Sequence, residues 1–399
     1  MERIYKLKGV VQHYSWGGTD YLPQLLGLSN NEKKPFAEYW LGAHPKSPAM
    51  IDGDDLSLYD LIKTKPEETL GKQVSEKFGS LPYLFKILDV RNMLSIQVHP
   101  SKAAAEEEFE KEEKSGIAID APNRNYKDRN HKPELMVALS DFWLLHGFKK
   151  VESVQETLNA VPELTFLLPF FADGDYESLY RQVMTMPKDN VDAALKPLLD
   201  RIIPAYKENR LDKSAPDFWA ARAATTFFKD EHLDRGIFSV YLFNLLHLRV
   251  GEAIYQPAGM PHAYLEGQNV EVMANSDNVL RAGLTDKHVD VDELMKHVRF
   301  EATYPNVLPA RQASEQAFEA PVQEFHLKKY TTQAGLNIGV ASATIVFATD
   351  GTSRFEVDGK AIDIKRGEAV LLLPGTGVSV QPSGNAFTCF LVSTPMDKI

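Results

Sequence analysis

Leu94-Ser95-Ile96-Gln97-Val98-His99-Pro100 alternates apolar and polar side chains, and a period of two marks a strand with two unlike faces. Leu94, Ile96 and Val98 share one face; Ser95, Gln97 and His99 share the other, so three polar groups point into one space. Just upstream, Tyr83-Leu84-Phe85-Lys86-Ile87-Leu88-Asp89-Val90 is a second apolar run, set off by Arg91-Asn92, and the two runs are expected to pair. Downstream, Ser101 precedes Lys102-Ala103-Ala104-Ala105-Glu106-Glu107-Glu108-Phe109, a capping residue followed by strong helix formers. A helix is predicted there.

Working outward, strand character resumes at Lys132–Leu139 and Phe142–Phe148, and the Ser140-Asp141 break predicts a hairpin. From Val151 to about Leu233 the period becomes helical, as in Val191-Asp192-Ala193-Ala194-Leu195-Lys196-Pro197-Leu198-Leu199, so this stretch reads as a helical insertion. Strands are expected again near Val240, at Ala253–Pro257 and at Asn269–Met273, followed by a helix over Asp290–Val298. From about Val322 short strands alternate with turn signals such as Asp350-Gly351 and Asp358-Gly359. Within them, Gly367-Glu368-Ala369-Val370-Leu371-Leu372-Leu373-Pro374-Gly375 echoes Gly251-Glu252-Ala253-Ile254-Tyr255-Gln256-Pro257-Ala258-Gly259. Two copies of one β-barrel unit are expected. The first continues into Pro261-His262-Ala263-Tyr264 and the second into Gly377-Val378-Ser379-Val380, so only the first carries chemistry. The expected division is 1–150 with 234–300 as a catalytic domain, 151–233 as a helical insertion, and 301–399 as a degenerate second copy.

Bulk properties narrow the function classes. A chain of 399 residues suggests two or three domains, and 44% hydrophobic with 25% charged residues describes a folded, soluble protein. No apolar stretch approaches the ~20 residues of a membrane helix, and the first residues lack a signal peptide's apolar core. A cytoplasmic monomer with no membrane partner is expected. The single Cys389 lies in an apolar run and reads as a buried structural thiol. A net charge of −11 argues against nucleic acid as a partner, so an anionic ligand must be met by local Lys and Arg.

Four residues in these strands have metal-ligating chemistry. They are Gln97 and His99 at i and i+2, Glu134 on the next β segment, and His262 after the Pro257-x-Gly259 turn. Singly, each is more often structural; a histidine before proline usually ends a strand with an ordinary hydrogen bond. Together they offer two imidazoles, one carboxylate and one amide oxygen, a borderline set that suits one Zn²⁺ per chain.

The pattern Gly251-x₅-Pro257-x-Gly259-x-x-His262 resembles the second motif of cupins. Leu94–Pro100, Lys132-Pro133-Glu134 and Pro261–Tyr264, with Trp40-Leu41-Gly42-Ala43-His44-Pro45 and Asn275–Thr285, are together similar to the type I phosphomannose isomerases over about residues 10–300. The resemblance implies a mainly β fold with a helical insertion, in which two cupin-type (jelly-roll) β-barrel domains accompany an α-helical domain. It also implies zinc bound by Gln97, His99, Glu134 and His262, Arg281 at the active site, and interconversion of mannose 6-phosphate and fructose 6-phosphate through an enediol.

For the proton that moves between carbons, Lys132 and Glu271 rank first, with Asp277 and His131 near the same motifs. Ser95 and Lys86 stand beside Arg281 as candidates for the phosphate, and Trp16 and Tyr264 for the sugar pocket. Two rivals share these residues. One is a non-haem iron oxygenase using the His99, Glu134, His262 triad, against which Gln97 argues as a fourth ligand. The other is a sugar-phosphate-binding cupin without turnover.

Overall fold

The computed structural model describes residues 2–227, 232–384 and 386–399. In the first part of the chain the strands are β1 (Ile4–Lys8), β2 (Val10–Gln12), β3 (Glu38–Gly42), β4 (Met50–Ile51), β5 (Tyr83–Val90), β6 (Gln97–Val98), β7 (Glu134–Ala138) and β8 (Phe142–Phe148). After the helical stretch come β9 (Phe243–Leu248), β10 (Ala253–Gln256), β11 (His262–Ala274) and β12 (Leu280–Arg281). The last part holds β13 (Glu315–Phe318), β14 (His326–Thr332), β15 (Leu336–Val340), β16 (Thr344–Asp350), β17 (Thr352–Val357), β18 (Lys360–Lys365), β19 (Ala369–Leu372), β20 (Thr376–Pro382) and β21 (Phe387–Ser393).

The pairing of these strands makes three sheets of ten, seven and four. Each is open, and no barrel closes through strand pairing among the described residues. The mainly β expectation therefore stands with sheets stacked face to face. In the ten-stranded sheet β10, β7, β11, β5, β3 and β2 lie in that order, while β6, β8, β9 and β12 gather on the first half of β11. The seven-stranded sheet packs on it through an apolar layer in which Phe85, Ile87, Val270 and Val272 meet Ile345, Phe347, Leu371 and Phe390. Beyond that layer the seven-stranded sheet meets the four-stranded one across Val346, Phe355, Ile364, Val378 and Leu391. The amino-terminal β1 crosses over to pair with β19, Ile4 opposite Leu372.

The helices form a cap on β8, β9 and β11. Helices Val151–Ala160, Tyr176–Thr185, Lys188–Lys207 and Pro216–Phe227 share one core with Leu145, Phe148, Phe243, Ala263 and Leu265. The expected strand near Val240 is instead the helix Gly236–Leu242, and β9 begins at Phe243. All seven residues of that helix are buried, and a helix apolar on every side gives the same sequence signal as a buried strand.

Two expected pairings fail for identifiable reasons. β5 pairs with β3 and β11 rather than with residues 93–99. The Trp16 carbonyl accepts N–H bonds from Arg91 (3.2 Å) and Asn92 (3.0 Å) and turns the chain away. Only Gln97–Val98 of that run is strand, pairing with β11 and β12. Ile96 and Val98 enter the helical core, while Leu94 packs in the separate cluster around Met136 and Phe142. Nor do β7 and β8 form a hairpin: β8 lies on the first half of β11 and β7 on the second. The bend between those halves is Gly267 (φ +128°), where a Cβ would come within 2.6 Å of the Asp141 carbonyl.

The expected capped helix is present as Lys102–Lys114, with the Ser101 hydroxyl accepting the Ala104 N–H. Asp358 (φ 50°) and Gly359 (φ 80°) are both left-handed in the turn from β17 to β18, as a tight hairpin requires. The echoed segments also match in backbone: Gly251 and Gly367 have φ of 85° and 87°, and Gly259 and Gly375 both 78°. Glu252 and Glu368 each accept the N–H three residues earlier, Arg249 at 2.7 Å and Lys365 at 3.0 Å. Cys389 is buried. Among the described residues no helix is long and apolar enough to cross a membrane.

Candidate metal centre

Directly opposed residues on neighbouring strands share a face, and the register sets up one inward-pointing row. Arg281 on β12 is opposite Gln97 on β6, Gln97 is opposite His262 on β11, and His262 is opposite His146 on β8. From the facing part of the sheet, Glu134 at the start of β7 lies opposite Gln256 and Met273. The bend at Gly267 brings the two faces together.

Where they meet, His99 Nε2 lies 3.3 Å from Glu134 Oε1 and His262 Nε2 lies 3.2 Å from Glu134 Oε2. Each ring is oriented from its other side, His99 Nδ1 donating to the Asn278 carbonyl and His262 Nδ1 to the Met260 carbonyl, both at 2.9 Å. A neutral ring whose proton sits on Nδ1 presents a lone pair at Nε2. Burial also holds the His99 ring below its ordinary value, to about 4, so it is neutral. Two imidazole nitrogens thus face one carboxylate, and His99 Nε2 is fully buried without a hydrogen-bond partner. Such a set suits a cation shared by the three side chains, and the donors fit a zinc-like ion. His99, Glu134 and His262 are close enough to hold one together. The fourth candidate, Gln97, is placed beside His262 by register.

The cleft beside this centre has a volume of about 660 Å³. Its wall carries Ser95, Gln97, Lys132 and Arg281, with the aromatic side chains of Tyr14, Trp16 and Trp40. The rings of Tyr14 and Trp16 stack with centroids 5.9 Å apart. Lys132 Nζ lies 3.0 Å from Glu134 Oε1, joining wall to metal centre. Lys86, also on the wall, is held 3.4 Å from Glu38 and 3.5 Å from Glu271, with its ammonium 5.1 Å above Trp40. Burial alone would discharge it, but the two carboxylates outweigh burial and hold its pKa up.

The proposed proton carriers separate clearly. Glu271 is buried at the centre of the network, and the Tyr264 hydroxyl donates to its Oε1 at 2.8 Å. Burial, reinforced by the charge of Glu134, pushes its carboxyl up to about 7 against the opposing pull of Lys86. Asp277 lines the cleft but is committed to His44 (3.3 Å) and Lys46 (2.8 Å), which hold it well below the carboxylate range despite burial. It is unsuited to receive a proton. His131 does not line the cleft at all; its ring pairs with Glu324 at 2.6 Å, on the side of the carboxy-terminal sheet.

Several residues of the site were not singled out from the sequence. Lys127 and Lys287 stand on the cleft wall with Arg281, and burial followed by neighbouring positive charge lowers both lysines. Arg281, itself lowered by burial, has no carboxylate partner among the described residues. Asn278 ties the loop before Lys132 in place, accepting from Lys127 N–H at 2.7 Å and donating to the carbonyls of Asp128 (2.7 Å) and Asn130 (2.8 Å). Its own carbonyl is the one that orients His99. Asn278 falls within the quoted Asn275–Thr285 segment, which was the available signal.

Comparisons with known proteins agree with this geometry. The family described as phosphomannose isomerase type I, catalytic domain, matches residues 4–151. The mannose-6-phosphate isomerase of Escherichia coli K12 is 38% identical over 380 residues, covering 92% of this chain and 94% of its own. The human mannose-6-phosphate isomerase is 33% identical over 387 residues, covering 88% of each. Among solved structures, mannose 6-phosphate isomerase from Salmonella typhimurium bound to fructose 6-phosphate and zinc superposes with a TM-score of 0.87 at 34% identity. It covers 99% of this chain and all of its own.

Proposed function

The chain belongs to the type I phosphomannose isomerase family, and from that premise we propose how its residues divide the zinc-dependent interconversion of mannose 6-phosphate and fructose 6-phosphate. The observation that carries the reading is the pair of buried imidazole nitrogens aimed at one carboxylate. Gln97, His99, Glu134 and His262 would hold one zinc. Zinc bound there supplies a Lewis acid for the oxygens on C1 and C2, where negative charge builds during proton transfer. With Gln97 as a fourth ligand, less room remains for dioxygen together with substrate, which disfavours the iron oxygenase reading.

Glu271 takes the proton from one carbon and returns it to the next. Its raised carboxyl gives and takes a proton near neutrality, which is what a general base at this pH needs. Tyr264 and Lys86 fix its two oxygens. Lys132 holds Glu134 and donates to the sugar oxygens from the wall. Arg281, next to Gln97 in the row, places a fixed positive charge against the developing enediolate. Lys127 and Lys287, with Ser95, receive the phosphate: both lysines stand on the cleft wall with Arg281 and are lowered by burial and then by a neighbouring cation, Lys46 for Lys127 and Arg281 for Lys287, which an anion would relieve. Lys86, neutralised by two carboxylates, has little charge left for phosphate and serves the base instead. Trp16 packs against the sugar.

We assign the fold as two cupin-type jelly-roll units plus a helical domain, with 1–150 and 234–300 catalytic, 151–233 the insertion and 301–399 the degenerate copy, the latter borrowing β1. The protein acts as a cytoplasmic monomer without nucleic-acid partners. Glu271→Gln should lower kcat by about 10²–10⁴ and abolish deuterium uptake from D₂O into carbon-bound positions, with zinc retained. Deuterium uptake at the wild-type rate in Glu271→Gln, and its loss in Lys132→Met, would transfer the proton to Lys132.

A further inference from the structure

Resting on the phosphate assignment above, we propose that Asp234 is a positioning residue through which the helical cap sets the phosphate end of the cleft. Its carboxylate receives three backbone N–H groups. Oδ1 accepts from Gly236 at 2.7 Å and Leu284 at 2.8 Å, and Oδ2 accepts from Thr285 at 3.0 Å. The first donor opens the helix Gly236–Leu242; the other two belong to the turn after β12.

That turn is not one the chain adopts freely. Leu284 has φ 53°, left-handed for a branched residue, and Gly283 has φ 119°. Gly236 and Gly283 lie back to back, and a Cβ on Gly283 would sit 2.6 Å from the Gly236 Cα. The two backbones can approach this closely only because both residues lack a side chain, and the Asp234 carboxylate pins them together. Thr285 then passes the constraint on, its hydroxyl accepting the Lys287 N–H at 3.1 Å. Thr285 and Lys287 both line the cleft. On the other side the Gly283 carbonyl accepts Ile96 N–H at 3.0 Å and Ala282 N–H bonds the Ile96 carbonyl at 2.9 Å. One carboxylate thus joins the cap, the turn bearing Lys287 and the segment bearing Ser95. It touches neither substrate nor metal.

Asp234→Asn keeps the size but leaves one acceptor oxygen, and its NH₂ must face one of the three N–H groups. The KM for mannose 6-phosphate and the Ki of inorganic phosphate as a competitive inhibitor should rise together, each about tenfold, equivalent to about 1.4 kcal/mol. The value of kcat should stay within about threefold and zinc at one per chain, a split that loss of folding would not produce. Lys287→Met tests the reading beneath. If Lys287→Met weakens phosphate inhibition and Asp234→Asn leaves KM and Ki alone, or lowers only kcat, the positioning role is overturned and the phosphate assignment stands. If Lys287→Met leaves the phosphate Ki unchanged, the assignment falls and the role with it. Should Asp234→Asn not fold, Thr285→Val keeps the backbone bond and removes only the cap on Lys287; a severalfold rise in phosphate Ki is expected, and an unchanged Ki refutes the proposal.

Discussion

Replacing Lys86 by methionine removes one buried charge at nearly constant volume, and its consequences for stability and for activity run in opposite directions with pH. Lys86 Nζ sits 3.4 Å from Glu38 and 3.5 Å from Glu271, and all three residues are less than a tenth exposed. At an effective dielectric near 20 each contact is an attraction of about 5 kcal/mol before desolvation is set against it. Removing one partner of a buried pair typically costs about 3–5 kcal/mol. The variant escapes part of this by keeping a proton on Glu271 above pH 7, where the wild-type carboxyl, raised only to about 7, gives it up. A carboxyl whose folded value is raised stabilises below its unfolded value and loses that stability as pH rises toward the folded one. In urea unfolding of the chelated protein, the deficit of Lys86→Met should therefore shrink by up to about 2.3 kcal/mol between pH 9 and pH 7, and change little below pH 7, where Glu271 is protonated in both proteins. Activity should do the reverse, since Glu271 without Lys86 holds its proton more tightly and loses it only at higher pH. A deficit equal at pH 9 and pH 7 would refute the view that Lys86 draws the proton off Glu271.

Two further outcomes test the centre and its surroundings. His262→Ala should lose zinc and turnover together, since three protein donors that include a single imidazole hold the ion poorly; zinc retained at one per chain would remove His262 from the ligand set. His146, which burial holds at about 4, stays neutral in the folded chain while the unfolded chain protonates near 6.5. Its stabilising share is therefore lost as pH falls from about 6.5 to 4. The metal-free wild type should lose up to about 1.4 kcal/mol per pH unit more than His146→Gln across that window, and parallel unfolding curves for the two proteins would sink the argument.

The sequence made the metal centre legible because three of its signals are local. The alternation through Gln97 and His99, the strand bearing Glu134 and the glycine turn before His262 each need only a few residues to read. The pairing partners were not legible. Whether the chain turns into a hairpin after Ala138 or rounds a corner depends on Gly267, about 130 residues downstream, bending the strand that both β7 and β8 use. The proton carriers were ambiguous for the same reason. Glu271, Asp277 and His131 look alike in sequence, and what separates them is the Tyr264 hydroxyl, the His44 and Lys46 pair, and Glu324 respectively. Lys127 and Lys287 escaped because a lysine in a polar loop has no periodicity to mark it.

On the proposed two-copy fold, the carboxy-terminal unit explains why the first can carry so many charges inside a sheet. Its register places Thr344, opposite Leu372, where the first copy has Glu134 opposite Gln256. Leu391, opposite Val346 and Lys328, stands where Glu271 lies opposite Met136 and Lys86. The positions matching Glu134 and Glu271 are thus an ordinary polar residue and an apolar one, and the strands that carry them give their other face, with Ile345, Phe347, Phe390 and Val392, to the ten-stranded sheet. That contact buries Phe85, Ile87, Val270 and Val272, which alternate with Lys86 and Glu271 along β5 and β11. Apolar burial on one face of those two strands, at ~25 cal/mol per Å², offsets the desolvation of the ionised groups on the other. The carboxy-terminal unit therefore bears on catalysis through the backs of the strands that carry Lys86 and Glu271.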